Sequence, residues 1–474
     1  MPAGSPNYFA QKGQFIQLNK DSINQFYFSL MLKDRENSEA KSINGFVDNF
    51  SLRQSLLRYS MSLELSIRDS AQLIDKSVLR LGSILELVLF RDPDHPESAK
   101  IRKTFYVTNI DSSIQSLTPN ERVYDITAFT FAGVSNAWPF TEVYEAGKTP
   151  SDIIKDIVTK RFTSDTKSIG EDTIGWIPTE NALDTPTIFK QVAPFDAITN
   201  MLRRSTRETK DSTYFFYEDI EGFKLRTIGD MTKKEYLDFA TNNPYTFLPD
   251  KKPASGDSRN SDPKKDYYRI LYLTQHNNSD YFKLMENGVH SSEIVYIDLL
   301  NRTIGNDNGK YAYEYSNTEY RDLILSTGDF DAFDIEKEVF TKKGYANKDA
   351  PPPDVYDFTP ASKIVFSEKA WDRTDYMDSK YPYDSAQRAL FEQNKVTIEV
   401  YGNPEIKPGD IIYIEIPKQS GETGYTRRLT GSYLVTGIKH NVKGNIFQTI
   451  IDLHKDSYEQ DVLTESKDNT STAS

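Results

Sequence analysis

"GSYLVTGIKHNVKGNIFQTIIDL", from Gly431 to Leu453, alternates apolar and polar residues on both sides of a Lys-Gly turn. This pattern predicts two strands joined by a short turn. A similar stretch, "KTFYVTNIDSSIQSLTPNERVYDITAF", occupies Lys103 to Phe129. The chain thus contains one strand pattern twice, and the fold prediction starts from that duplication.

Other segments recur around these two stretches in the same order. "GSILELVLF" begins at Gly82 and "GDIIYIEIP" at Gly409, 327 residues later (409 − 82). Val107-Thr108 corresponds to Val435-Thr436, 328 residues later (435 − 107). Further correspondences are "MSLELSI" with "VTIEVYG", "VYDITAF" with "FQTIIDL", and Asn44-Gly45 with Asn287-Gly288. The constant separation favours an internal repeat over the alternative, which is two unrelated β domains that share only generic alternation.

The composition restricts the class of protein. A chain of 474 residues is long enough for about three units with a sizeable core, and its 29 Tyr and 27 Phe are typical of a strand-rich soluble protein. The absence of cysteine excludes disulfides, thiolate metal sites and a cysteine nucleophile. A net charge of −13 argues against a surface that grips nucleic acid. Because there is no long apolar run and no signal-peptide pattern, we expect no membrane insertion.

The sequence predicts a mainly β fold with α+β insertions. It comprises two tube-like antiparallel β-barrel domains, a small α+β domain and an inserted region. The predicted boundaries are 1–135 for the first barrel, 136–240 for the α+β domain of two helices and a hairpin, 241–266 for an exposed connector, 267–300 with 395–458 for a discontinuous second barrel, 301–394 for the insertion, and 459–474 for a disordered tail.

Helix signals mark the α+β domain. Thr149 precedes Pro150 and Asp152, as an N-cap precedes a first turn, so a helix is predicted from Pro150. A second helix is predicted from Pro194, and the hairpin that follows turns at Gly222. The spacing of apolar residues therefore changes after the first barrel, from every two residues, as in strands, to every 3.6 residues, as in helices.

We predict no catalytic, cofactor-binding or metal-binding residues. The five histidines, His95, His276, His290, His440 and His454, have no metal-ligand spacing and are interpreted as surface or packing residues. Four further segments were weighed against chemistry: "DPDHPE", "GNDNGK" and "GVSNA" (Gly133 to Ala137) are interpreted as loops, and Tyr311, Tyr313 and Tyr315 as one packed strand face. Asp329, Asp331 and Asp334 offer paired carboxylates, but a solvated acidic face is the better interpretation.

Two regions resemble tail baseplate hub proteins of contractile-tailed bacteriophages, the T-even type, which are related to the base of type VI secretion spike proteins. In Pro194 to Ile228 the similar features are the helix "APFDAITNMLRRSTRE" and the hairpin "YFFYEDIEGFKLRTI". In Val396 to Ser457 they are Gly409, Val435-Thr436 with His440, and Lys455-Asp456-Ser457.

The resemblance implies a structural, non-enzymatic protein without cofactors. It implies a homotrimer in which two barrels per chain form a pseudo-sixfold ring, matching a threefold spike to a sixfold tail tube. The implied partners are the central tail spike, tail tube, tape-measure and baseplate wedge proteins, with DNA only in transit through a channel whose acidic groups repel phosphates. The implied location is the tail baseplate of the virion, after assembly in the host cytoplasm.

Three alternatives remain open. One is a tail-associated cell-wall or polysaccharide hydrolase that uses the carboxylates Asp329, Asp331 and Asp334. Another is the base of a secretion-system spike, which the polar tail after the second barrel disfavours. The third is a carbohydrate-binding β protein with a tyrosine-rich site. Neither the hydrolase nor the carbohydrate-binding protein explains the internal repeat.

Overall fold

The computed structural model describes residues 15–18, 25–33, 40–74, 76, 78–92, 100–114, 122–162, 175–183, 185–207, 213–247, 268–277, 293–298, 303–305, 362–364, 388, 394–418, 425–426 and 429–455. Fourteen strands form one large curled, mainly antiparallel sheet, and a smaller α+β unit lies beside it. The predicted fold class, mainly β with α+β additions, is confirmed.

The first eight strands form one half of the large sheet. They are β1 (Ile16–Leu18), β2 (Phe26–Lys33), β3 (Ala40–Ser42), β4 (Val47–Ser55), β5 (Ser62–Asp69), β6 (Ile84–Phe90), β7 (Ile101–Ile114) and β8 (Arg122–Phe129). Apart from β3, which pairs with β2, they lie in the order β1, β2, β6, β7, β8, β5, β4. The strands predicted from alternation in this region are all present.

The α+β unit follows in the chain. Its elements are α1 (Phe131–Ser135), β9 (Phe140–Tyr144), α2 (Pro150–Arg161), β10 (Thr187–Val192), α3 (Pro194–Arg204), β11 (Tyr214–Glu218), β12 (Phe223–Thr227), α4 (Ile228–Met231) and α5 (Lys234–Asn242). Strands β9 and β10 form one two-stranded sheet, and β11 and β12 form another. Helices α2 and α3 begin at Pro150 and Pro194, as predicted, and the Thr149 hydroxyl accepts a hydrogen bond from Asp152 N at 3.2 Å.

Nine strands follow in the chain, and six of them complete the large sheet. They are β13 (Tyr245–Thr246), β14 (Ile270–Asn277), β15 (Glu293–Asp298), β16 (Thr303–Gly305), β17 (Ser362–Ile364), β18 (Asn394–Tyr401), β19 (Ile411–Glu415), β20 (Gly431–Lys443) and β21 (Ile446–Lys455). Beyond β4 the sheet continues with β20, β21, β18 and β14, while β19 pairs with β20 and β13. Strands β15, β16 and β17 form a separate three-stranded sheet.

Alternating side chains give each half of the sheet its own core. Strands of the first half bury Leu63, Leu65 and Phe105, which are at most 2% exposed. The second half has an equivalent core that contains Ile398 and Ile451. Burial of large apolar side chains contributes about 1.5–3 kcal/mol each, so these two cores supply the main stabilising term of the sheet.

Two local predictions differ from the structure. Gly133 to Ala137 was interpreted as a loop, but Phe131–Ser135 form helix α1, which lies directly after β8 and packs against β7 and β8. The connector was predicted to begin at Thr241, whereas Tyr245 is buried in the second core and belongs to β13. In both cases tertiary packing outweighs a local composition typical of loops. Among the described residues, no helix has the length and apolarity needed to cross a membrane.

Candidate functional site: an assembly surface

Two glycine turns occupy equivalent places in the two halves of the large sheet. Gly82 and Gly409 have φ values of 78° and 89°, a region that favours glycine, and each precedes the strand that pairs with β7 or β20. The hydrogen bonds around them match: Gly82 N to Val107 O (2.7 Å), Val107 N to Ser83 O (2.9 Å), Gly409 N to Val435 O (2.8 Å) and Val435 N to Asp410 O (2.8 Å). The predicted correspondence of the two glycines is therefore confirmed at the level of backbone hydrogen bonds.

A β-bulge follows each turn at the same point. The register of β7 with β8 shifts between Val107 and Asn109, and the register of β20 with β21 shifts between Val435 and Gly437. After the bulge, rows of directly opposed residues run across each half of the sheet. One row is Ile110, Ile126, Leu65 and Phe50, and its counterpart is Ile438, Ile451, Ile398 and Leu273. Bulges are specific features of a strand pair, so their duplication supports an internal repeat.

These rows revise part of the predicted alignment. Strand β14 pairs with β18 as β4 pairs with β5, so β14 is the counterpart of β4. Strand β14 precedes Asn287-Gly288 in the chain. Asn287-Gly288 itself lies outside the described residues. Leu65 corresponds to Ile398, which shifts the predicted match of "MSLELSI" with "VTIEVYG" by two residues. Strand alternation repeats every two residues, so the sequence pattern alone does not distinguish these registers.

The two halves are joined by one antiparallel seam between β4 and β20. Its register runs from Gly437 opposite Ser55 to Lys443 opposite Asn49. Backbone hydrogen bonding between the two halves continues one residue beyond β4, because Leu56 N donates a hydrogen bond to Thr436 O at 2.9 Å. Val442 of β20 lies in the core of the first half. The seam therefore fixes the two halves relative to each other through both backbone and side chains.

One face of the joined sheet is mainly polar from β7 to β14, and Ile450 and Tyr272 are apolar residues on it. We call it the polar face and define it by its residues: Asn109, Asp111, Asp125, Thr127, Glu64, Ser66, Arg53, Lys439, Asn441, Glu399, Thr397, Asp452, Thr274 and His276. The opposite side chains of the same strands point into the two cores. The polar face is the surface that this sheet presents away from its hydrophobic cores.

Charges of both signs occur on the polar face. Arg53 and Glu64 form an ion pair at 3.0 Å, and Lys439 lies opposite Arg53 across the seam. Ser66 donates a hydrogen bond to Asp125, which lies directly opposite Asp111. Acidic residues thus lie on both halves of the polar face, on β7, β8, β5, β18 and β21, while Arg53 and Lys439 lie at the seam. A uniformly acidic surface, the simplest form of the DNA-repelling channel, is not what the described residues present.

The polar face ends at one strand segment on each side, in β7 and in β14. Strand β7 pairs with β6 only as far as Tyr106, and from there to Ile114 it has β8 on one side and no described strand on the other. Strand β14 pairs with β18, and on its second side Thr246 of β13 bridges Arg269, the residue directly before β14, whereas Ile270–Asn277 have no described strand partner there. Sheet edges present backbone donors and acceptors that can pair with another strand. These two edges are the candidate assembly sites.

A cleft of about 690 Å³ lies between the α+β unit and the second half of the sheet. Tyr217 donates a hydrogen bond to Pro408 O at 3.1 Å across it, and Lys407 pairs with Glu221. Hydrogen bonding to Lys407 lowers the pKa of Glu221 to about 2. Burial raises the pKa of Asp410 to about 6, although Lys407 N donates to its carboxylate at 2.8 Å. The Tyr217 hydrogen bond and the Lys407–Glu221 ion pair thus connect the two units across the cleft.

Three of the five histidines lie in described parts of the chain. His440 is 1% exposed, and its Nδ1 is 3.2 Å from Thr449 Oγ1; burial lowers its pKa to about 3. Burial likewise lowers the pKa of His454 to about 4. Both are packing residues, as interpreted from the sequence, whereas His276 is exposed on β14. His95, His290, Asp329, Asp331, Asp334, Tyr311, Tyr313 and Tyr315 lie outside the described residues.

Sequence reasoning did not single out the polar face or the two edges. The signal available was the set of polar residues at alternate positions of "MSLELSI" and "KVTIEVYG", which were used only to recognise strands. The edges depend on which strands pair across hundreds of residues. That information is not local, so no pattern within one segment reveals it.

Comparison with known proteins gives one similar sequence. The chain is 20% identical over 271 residues to the probable baseplate hub protein gp334 of Vibrio phage KVP40, a match that covers 56% of this chain and 57% of that protein. The chain thus spans a little more than half the length of this relative. No protein-family model matches the chain. The resemblance to a tail baseplate hub protein that the sequence predicted is confirmed by this similarity.

Solved structures of tail proteins are also similar. The 43 kDa tail protein of prophage MuSo2 from Shewanella oneidensis has a TM-score of 0.49 and 11% identity, covering 91% of this chain and 100% of that one. A tail protein from Neisseria meningitidis MC58 has a TM-score of 0.47 and 12% identity, covering 90% and 97%. Similarity of this degree does not bear on what the chain does.

Proposed function

We propose that this protein is the structural, non-enzymatic hub of a phage tail baseplate. Three copies form a ring of six similar curled units, two from each chain. The ring adapts a threefold spike to a sixfold tail tube and leaves a channel for DNA. The sequence similarity to a baseplate hub protein supports this class of function.

The observation that carries the proposal is the duplicated geometry of the two halves. Gly82 and Gly409 make the same backbone hydrogen bonds, and a bulge follows each of them. The halves are also held side by side in one sheet by the β4 and β20 seam. Two similar units that are adjacent within one chain become six in a trimer, which is the condition for converting threefold into pseudo-sixfold packing.

The duplication also accounts for the partners that we propose. The tail tube would contact the six similar units, and the central spike would contact features that occur once per chain. The α+β unit occurs once per chain among the described residues. We propose the tape-measure and baseplate wedge proteins as further partners, and the virion baseplate, reached after assembly in the host cytoplasm, as the location.

The test is the oligomeric mass of the purified chain together with electron-microscopy class averages of top views. We expect a trimeric mass and a threefold ring with six peripheral densities around a channel. Native mass spectrometry over a range of concentrations measures the first, and averaging without imposed symmetry measures the second. A chain that remains monomeric, alone and mixed with spike and tube proteins, would contradict the proposal.

The proposed domain division can be tested separately. We propose that the first barrel, the α+β unit and the discontinuous second barrel are distinct units, since each has a main buried cluster of its own. A smaller fourth cluster, which includes Leu56, Tyr217 and Leu434, packs the three against one another. Limited proteolysis followed by mass spectrometry should give first cuts within the proposed connector, 241–266, and the proposed insertion, 301–394. First cuts within β4 or β20 would contradict this division.

A further inference from the structure

A pocket of about 330 Å³ lies where the first half of the sheet meets the α+β unit. We call it the arginine pocket, and the residues that define it are Leu56, Leu57, Leu202, Arg203, Phe215 and Arg388. Leu56 is buried in a cluster with residues of the other two units, whereas Leu57 is 64% exposed. The pocket therefore has an apolar wall that the described residues leave open to solvent.

The charge of the arginine pocket is positive. The guanidinium of Arg388 lies over the ring of Phe215, 4.9 Å from its centroid. Arg203 lies in the last turn of α3 and Arg58 directly follows Leu57; both are exposed, and neither forms an ion pair with another described residue. No acidic side chain is among the described residues that line the pocket. Arginines around an apolar wall complement an acidic peptide that has an apolar anchor.

The segment that follows β21 has this chemistry. It reads "DSYEQDVLTE", from Asp456 to Glu465, and lies outside the described residues. It contains the carboxylates Asp456, Glu459, Asp461 and Glu465, the apolar residues Tyr458, Val462 and Leu463, and no basic residue. The segment thus combines the two properties that the arginine pocket selects.

The segment also begins close to the pocket. His454, near the end of β21, lies opposite Leu434 of β20, and Leu434 belongs to the same buried cluster as Leu56. Strand β20 lies between β21 and β4, so the ends of these two strands are roughly 10 Å apart across the sheet. Ten extended residues span roughly 33 Å. The pocket is therefore within reach of the segment in the same chain.

We propose that the segment Asp456 to Glu465 binds in the arginine pocket of its own chain. Its apolar side chains cover Leu57, and its carboxylates face Arg58 and Arg203. A short tether provides an effective concentration in the millimolar range, so an intrinsic affinity of about 100 µM gives a bound-to-free ratio of about ten. The bound segment adds a connection from the second half of the sheet, where it originates, to the first half and the α+β unit.

Because the natural chain has no cysteine, one introduced thiol can report whether the pocket is covered. The variant Leu57→Cys places that thiol on the open wall. We expect N-ethylmaleimide to alkylate it about tenfold faster when Glu459→Lys/Asp461→Lys is added, because the two lysines would be repelled by the arginines and release the segment. Intact mass spectrometry over time measures the rate in the full chain.

Leu81→Cys is the matched control for the reporter. Leu81 is 65% exposed and precedes β6, on a part of the first half that does not line the pocket. Its alkylation rate should be the same with and without Glu459→Lys/Asp461→Lys. Thermal melting of each variant verifies that it is folded.

A change on the pocket side tests the same contact. Adding Arg203→Glu to Leu57→Cys should also raise the alkylation rate about tenfold, because it places a carboxylate against the acidic segment. Lys190→Glu makes the same change in net charge on an exposed position of β10 and should leave the rate unchanged. Equal effects of the two substitutions would contradict a specific role of the arginine pocket.

Three outcomes would overturn the inference. One is a Leu57→Cys rate that is as fast with the natural segment as with Glu459→Lys/Asp461→Lys. Another is slow alkylation that these lysines do not relieve, which would mean that another part of the assembly covers the pocket. The third is protection that rises with protein concentration, which would place the segment in the pocket of a second copy. The oligomeric mass that tests the hub proposal is measured separately, so none of these outcomes affects that proposal.

Discussion

At the scale of single residues, Gly409 combines a backbone requirement with a packing requirement. Its φ of 89° disfavours any residue with a Cβ, and an added Cβ would lie 2.9 Å from both Met231 Sδ and Tyr217 Oη. Gly409→Ala should therefore cost the backbone strain of about 1 kcal/mol plus the displacement of two buried side chains. We expect a total of about 2–4 kcal/mol in the free energy of unfolding, measured by urea denaturation.

Gly444→Ala provides the control for Gly409. Gly444 has a φ of 57°, but a Cβ there meets no atom within 4 Å. This variant should show the backbone strain alone, about 1 kcal/mol. Equal losses in the two variants would mean that the contacts around Gly409 contribute nothing to stability.

His440 makes stability depend on pH. Burial lowers its pKa in the folded protein to about 3, against an ordinary value of 6.5. Below about pH 6.5 the unfolded chain binds a proton that the folded chain does not, so the free energy of unfolding falls as pH falls. This residue's share should be about 1.4 kcal/mol per pH unit, until the pH reaches the folded pKa.

The variant His440→Asn isolates this contribution. Burial raises the pKa of Asp410, which has the opposite effect on the pH dependence, so the informative quantity is the difference between variant and wild type. That difference should move in favour of the variant as the pH falls from about 6 to about 4. Parallel curves for His440→Asn and wild type would contradict the assignment.

At the scale of elements, the sequence predicted those features that depend on interactions within a single turn or segment. The cap of α2 could be identified because Thr149, Pro150 and Asp152 act within one turn. The register of β5 with β8 could not, since alternation is satisfied by any shift of two residues. Helix α1 was missed because "GVSNA" has a composition typical of loops, whereas its place is fixed by packing against β7 and β8.

Strand β11 is attached to the first half of the sheet by a buried ion pair. Glu218 accepts hydrogen bonds from Thr130 Oγ1 at 2.5 Å and Met61 N at 3.3 Å, and its carboxylate is 3.5 Å from Lys103 Nζ. Glu218→Leu leaves the ammonium of Lys103 without this partner and should cost about 3–5 kcal/mol in the free energy of unfolding. Adding Lys103→Met should recover most of that loss.

A double-mutant cycle measures this coupling. The exposed pair Arg68 and Asp48, at 3.2 Å, is the control and should show a coupling of about 1 kcal/mol or less. Chemical denaturation of the four proteins in each cycle gives both values. Additive losses at Lys103 and Glu218 would mean that these two charges do not stabilise each other.

At the scale of the whole molecule, the repeat was the feature most accessible from the sequence. The spacing of Gly82 and Gly409 predicted it, and the matching hydrogen bonds agree. The sequence did not predict that the two halves share one sheet, because the β4 and β20 seam joins residues hundreds of positions apart. It also predicted an acidic channel from net charge alone, and net charge does not specify which face carries which sign.

The polar face allows a direct test of DNA passage. If the ring encloses DNA, the inner surface of the ring must not bind phosphates strongly, so its cations must be paired with carboxylates. Glu64 meets this condition by pairing with Arg53. The variant Glu64→Lys/Asp125→Lys places four additional positive units per chain on that face. We expect this variant to retain double-stranded DNA at low salt and to release it steeply as salt rises, measured by fluorescence anisotropy.

The control for DNA binding is a variant with the same change in net charge on another surface. Glu145→Lys/Asp238→Lys alters two exposed carboxylates of the α+β unit. Non-specific attraction would affect both variants equally, because it depends on net charge. Retention that is at least tenfold stronger in the polar-face variant would assign the DNA-facing surface to the polar face. Equal binding would instead require that the channel be lined by residues other than those of the polar face.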